Sequence, residues 1–73
     1  MRKISKDTYE LRLFEGGVLH FVIGCLYKAN GTCGMTKDKE VTGELKYSLF
    51  GEWLLVDEKG RQCSINERTL SYL

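Results

Sequence analysis

Gly51-Glu52-Trp53-Leu54-Leu55-Val56-Asp57-Glu58-Lys59-Gly60-Arg61-Gln62-Cys63-Ser64-Ile65 (residues 51–65) is the stretch that decides the fold. An apolar run, Trp53 to Val56, and an alternating one, Arg61 to Ile65, flank Asp57-Glu58-Lys59-Gly60. A glycine in the last of those four places suits the left-handed conformation that ends a type I turn, so the segment predicts a β-hairpin. Further glycine-centred turns are predicted at Gly16-Gly17, Asn30-Gly31, Gly43 and Gly51. Short alternating runs punctuated in this way predict a compact all-β domain of five to six antiparallel strands.

Local preference agrees with that pattern. The chain has one alanine, Ala29, while Val, Ile, Thr, Tyr and Phe are plentiful, which favours strand over helix. From Thr8 to Phe14, Tyr9, Leu11 and Leu13 alternate with Glu10 and Arg12, the two-residue period of a half-buried strand. A two-residue turn at Gly16-Gly17 would set Leu13 opposite His20 and Leu11 opposite Val22, placing His20 in the core. Asn30-Gly31 has the composition of a type I′ turn, in which both central residues take positive φ. Thr32 to Thr42, with Lys37, Asp38, Lys39 and Glu40, is the least regular segment and is expected to be a mobile loop. After Gly43 the alternation resumes, with Leu45, Tyr47 and Leu49 on one face. Asn66 is placed to cap one short helical turn near the C-terminus, before Leu70 and Tyr72 close the barrel.

Size and charge limit the options further. A chain of 73 residues is expected to form a single domain, residues 1–73, with residues 1–7 as a flexible tail. It would bury only about 60% of the surface exposed when unfolded. Lys and Arg number 11 against 10 Asp and Glu, so the net charge of +1 supplies no global field for nucleic acid or an acidic membrane. Val18 to Tyr27 is the longest apolar stretch, about half of the roughly 20 residues that a membrane helix requires. Asp7, Glu10 and Glu15 interrupt any signal-peptide pattern behind Arg2 and Lys3, so a cytoplasmic location is expected.

The order Gly51-Glu52-Trp53, Gly60-Arg61, Ile65, Leu70, Tyr72 resembles the end of an SH3 domain: a Trp-bearing strand, a glycine turn, a second strand, a short 3₁₀ turn and a closing strand. The likeness covers Gly51 to Leu73, about a third of the chain. It implies an SH3-like barrel or a strongly bent sheet. Asn66 stands where that family carries a proline, and proline-rich peptide binding is not carried over.

No cofactor motif is present, and no catalytic residues are assigned. Cys25, Cys33, Cys63 and His20 are the residue types of a Cys₃His zinc site, but they lack the close Cys-x₂₋₄-Cys pair of structural zinc. His20 and Cys25 also differ by an odd number, which puts them on opposite faces of a regular strand. A Cys25–Cys33 disulfide meets the same objection of facing. The three cysteines are therefore expected to be reduced and buried, with no metal or cofactor.

The reading that remains is a non-enzymatic protein-binding module, an adaptor or inhibitor of a larger protein. Phage-encoded accessory proteins that block host enzymes are often of this size. Ser48 to Trp53 carries more large side chains than a tight turn can bury, so with Leu49 pointing inward, Phe50 and Trp53 are the interface candidates, with Glu52 and Tyr72. Self-association into a homodimer through an unpaired strand edge is a further expectation. The alternative is a nucleic-acid-binding barrel using Arg2, Lys3, Lys6, Tyr27, Lys28 and Lys46, cations beside rings on which bases could stack.

Overall fold

The computed structural model describes Met1–Leu73. Its strands are β1 (Arg2–Lys3), β2 (Thr8–Arg12), β3 (Val18–Val22), β4 (Leu26–Cys33), β5 (Thr36–Tyr47), β6 (Trp53–Val56) and β7 (Gln62–Ile65), followed by a 3₁₀ turn at Glu67–Thr69. The structure is all-β, and apart from the two-residue β1 every strand has four residues or more. β4 to β7 form a closed antiparallel barrel, and β1-β2-β3 form a second sheet. Leu11 and Phe21 of that sheet join Leu45, Leu55, Cys63 and Leu70 in one core.

Four strands can close a barrel here because β5 is long enough to serve two neighbours. Its residues from Thr36 to Glu44 pair with β4, and those from Glu44 to Tyr47 pair with β6. The change of partner falls beside Gly43, where a Cβ would collide with the Val56 carbonyl. Gly31 plays the same part at the closing seam, where a Cβ would stand 2.5 Å from the Ser64 carbonyl oxygen. Glycine serves at both places by permitting close approach of backbones. Gly43 and Asn30-Gly31 are thus strand positions, which corrects the expectation of turns there.

The β4–β5 connection is instead Gly34-Met35, between paired Cys33 and Thr36. Gly34 has φ 59°, the conformation that glycine adopts without a steric penalty. Lys37 to Glu40, expected in a loop, belong to β5, where Lys39 and Glu40 pair with Gly31 and Asn30 and all four side chains are exposed. Asp38, at φ 49°, lies in the irregular stretch between the Gly31↔Lys39 and Cys33↔Thr36 pairs.

Three hairpins share one turn design. In the β2–β3, β5–β6 and β6–β7 connections, the N–H groups of Leu13, Ser48 and Asp57 donate to the carbonyls of Gly17, Glu52 and Arg61, at 2.8, 2.8 and 3.0 Å. The fourth residue of each, Gly16, Gly51 or Gly60, has φ between 80° and 92°. The turns at Gly51 and Gly60 follow the sequence expectation. At Gly16 the turn is longer than the two residues expected, and Leu11 faces Leu19 while Glu10 faces His20. An odd slip in register turns every side chain of a strand over. Leu19 and Phe21 therefore point inward, and His20 lies outside, 3.8 Å from Glu10 Oε2.

Cys33 and Cys63 are joined by a disulfide, correcting the expectation of reduced thiols. They follow directly from the Gly31↔Ile65 and Thr32↔Ser64 pairs, so the bond lies across the seam where β4 meets β7. Their Cα atoms are 4.4 Å apart, the spacing of a facing pair without ladder hydrogen bonds. Cys25 is free and exposed. The C-terminal turn forms as read from the sequence, with the Asn66 side chain accepting from the Arg68 N–H at 3.1 Å and Leu70 buried behind it.

Arg2 and Lys3 pair with Glu10 and Tyr9, tying the N-terminal residues to the sheet.

Candidate functional site: an aromatic platform beside the β5–β6 turn

The β5–β6 turn is held from within by Ser48. Its hydroxyl accepts from the N–H of Phe50 at 3.2 Å and of Glu52 at 3.0 Å, fixing the loop in a shape that turns the intervening side chains outward. Phe50 is 91% exposed and Leu49 fully exposed. Leu49 was expected inside by its spacing from Leu45 and Tyr47. The strand ends at Tyr47, and beyond it the two-residue alternation no longer governs direction.

Behind this tip lie three rings from both sheets. Trp53 packs edge-on to Tyr9, with centroids 4.7 Å apart, and tilted against Tyr47 at the same distance. Tyr9 and Tyr47 are near-parallel at 6.5 Å. The Tyr47 hydroxyl leans over the turn, 3.5 Å from where a Cβ on Gly51 would be. Trp53 is half-buried and braces the core, whereas Tyr47 is exposed. Trp53 is therefore both a packing element and part of a surface. Glu52 is exposed and lines a shallow hollow with Trp53, Ile65 and Glu67.

The sequence signal for Tyr9 and Tyr47 was their period, which gives the correct face. It does not reveal that this face runs past the end of the core.

Tyr72 lies elsewhere. Its ring packs on Phe21 and Tyr27, with centroids at 5.3 and 6.2 Å, and its hydroxyl bonds to the His20 backbone. It caps the outer edge of β3 and makes no ring contact with Tyr47 or Trp53.

The residues of the nucleic-acid alternative come from β1, the β1–β2 connection, β4 and β5. Tyr27 is buried, and its hydroxyl accepts from the Val22 N–H at 2.8 Å, so its ring offers no platform to a base. Lys46 is 3.7 Å from Glu44, and Arg2 stands opposite Glu10. Lys28 is paired in β4 between Thr42 and Ser71, while Lys3 and Lys6 are exposed near the N-terminus.

The residues weighed for zinc are dispersed, because two of the three cysteines are bonded to each other and His20 is outside. No group of three or more His, Cys, Asp or Glu is placed to hold a metal ion. The Arg61 backbone N–H, at 2.9 Å from Oδ1, holds the Asp57 carboxyl below its usual range, aided by the Arg61 side chain and the Lys59 N–H. These bonds are internal to the β6–β7 turn and serve its shape. No helix is long and apolar enough to cross a membrane.

No protein-family model, no curated protein and no solved structure matches the chain.

Proposed function

We propose that the chain is a non-enzymatic protein-binding module with an SH3-like barrel, acting as an adaptor or inhibitor of a larger protein in the manner of a phage accessory protein. The observation that carries the reading is the pair Leu49 and Phe50, held outward at a braced turn and backed by Tyr47 and Trp53. Exposed apolar groups on a rigid support lose little conformational freedom on docking, which is what interface anchors require. Glu52 supplies a polar rim.

Placement in the cytoplasm belongs to the same proposal. It requires the Cys33–Cys63 bond to persist among reducing thiols, and both cysteines are buried, which hinders attack on the sulfurs. The nucleic-acid alternative has less support, because Tyr27 is in the core and Lys46 stands beside Glu44.

The test is affinity capture from lysate of the native source, with nuclease, comparing the natural chain with a Leu49→Ser/Phe50→Ser variant. A stoichiometric protein captured by the former and lost by the folded variant supports the module. Capture that nuclease abolishes, or that the variant retains, sinks this assignment of the surface.

A further inference from the structure

Arg2 and Arg12, from the paired strands β1 and β2, and Arg68, from the distant 3₁₀ turn, line one open hollow with Glu10, Leu11 and Glu67. Each guanidinium retains donors for a ligand. Arg12 donates from Nε to Glu10 Oε1 at 3.2 Å. Arg68 sits over the Phe14 ring, 4.8 Å from its centroid, and donates from Nη1 to the Arg12 carbonyl at 3.3 Å. The Arg2 side chain makes neither a hydrogen bond nor an ion pair within the chain. A guanidinium has five N–H donors in a planar fork, so most of this capacity is unspent.

The local charge balance is also uneven. Three arginines line the hollow with two glutamates, and Glu67 is already paired with the Met1 amino group at 2.6 Å. In a chain whose net charge is +1, this is a concentrated positive site. The Phe14 ring and the Arg12 carbonyl hold Arg68 in place from two sides, so it meets a ligand partly ordered.

We propose that this hollow binds a phosphate dianion, either free or as a phosphomonoester, through Arg2, Arg12 and Arg68. A compact dianion presents several acceptor oxygens to planar guanidinium forks, and Arg–phosphate hydrogen bonds are among the stronger charge-assisted ones. Glu10 and Glu67 border the same hollow and would repel the continuing backbone of a nucleic acid, so an isolated phosphate group fits better than a polymer. Glu10 competes with the ligand for Arg12.

The experiment is amide NMR of the full chain at low ionic strength, titrated with inorganic phosphate, phenyl phosphate, chloride and a single-stranded oligonucleotide. Saturable shifts centred on Arg2, Arg12 and Arg68 are expected with phosphate and absent with chloride at equal ionic strength. Tighter binding of phenyl phosphate identifies an ester as the ligand; equal or weaker binding identifies free phosphate. Arg12→Gln and Arg68→Gln, with retained spectral dispersion, are each expected to weaken binding at least tenfold, and Glu10→Gln to strengthen it severalfold. Unsaturable shifts, an equal response to chloride, or unchanged affinity in both arginine variants overturns the proposal. It is likewise overturned if the oligonucleotide binds more tightly than its phosphate count explains, with shifts spread beyond the hollow.

Discussion

The Tyr72 hydroxyl satisfies both backbone polar groups of His20, accepting from its N–H at 2.9 Å and donating to its C=O at 3.0 Å. His20 lies on β3, an outer strand of the β1-β2-β3 sheet, and the Tyr27 hydroxyl takes the next outward N–H, that of Val22. Free groups on an outer strand are what a second chain would use for strand pairing. Two tyrosines thus occupy the edge that a homodimer would need. Tyr72→Phe keeps the ring on Phe21 and removes both bonds. The expected cost is about 1 kcal/mol of stability, with increased self-association on analytical ultracentrifugation. Unchanged stability and a monomer at all concentrations would show that the hydroxyl has no such role.

The Cys33–Cys63 bond closes a loop with a sequence separation of 30 and locks β4 to β7. Cys33→Ala/Cys63→Ala is expected to lose about 3–4 kcal/mol through the freer unfolded chain, measured as a lower urea midpoint. Thiol titration of the native protein should find one reactive group, Cys25. Three reactive thiols without reductant would contradict the bond.

Gly43→Ala forces a methyl group against the Val56 carbonyl. A loss of about 2–3 kcal/mol is expected, the upper range for overpacking. Gly16→Ala meets no atom within 4 Å and tests only the positive φ, so it should cost less. Equal midpoints in urea for the two variants would argue that β5 does not bend closely past β6 at Gly43.

Leu49→Ser/Phe50→Ser removes no buried contact, and its stability should remain within about 0.5 kcal/mol of the natural chain. Trp53→Ala also removes packing against Tyr9 and Tyr47, so a loss of about 2–3 kcal/mol is expected, below the range for fully buried tryptophan. Thermal melts of the two variants separate the exposed tip from the supporting ring. A melt of the tip variant as low as that of Trp53→Ala would mean that Leu49 and Phe50 pack in solution.

Asp57 has a carboxyl pKa lowered in the folded state, so its contribution is present above its ordinary value of 3.8 and is lost as pH falls through the folded value. Asp57→Asn should therefore be less stable than the natural chain at neutral pH, with the difference shrinking in acid. Urea midpoints measured at both ends of that window check the sign; a difference that grows in acid would reverse it.

The sequence by itself determined what depends on neighbours along the chain. The inward face of β2, the glycine turns at Gly51 and Gly60, the β6–β7 hairpin and the Asn66 cap all rest on contacts within a few residues. The tertiary structure decided the rest. Asn30-Gly31 carries a strong local turn signal, yet the missing Cβ of Gly31 is used for the approach of Ser64, more than thirty residues away. The register of β3 turned on the length of one turn, and an odd slip exchanged His20 for Phe21 in the core. Cys33 and Cys63, and Tyr9 and Trp53, meet, and Arg2 and Arg68 come to line one hollow, only once the chain has folded. Period and propensity report which way a residue faces locally, whereas these pairings depend on where the barrel closes and which strand ends reach past its core.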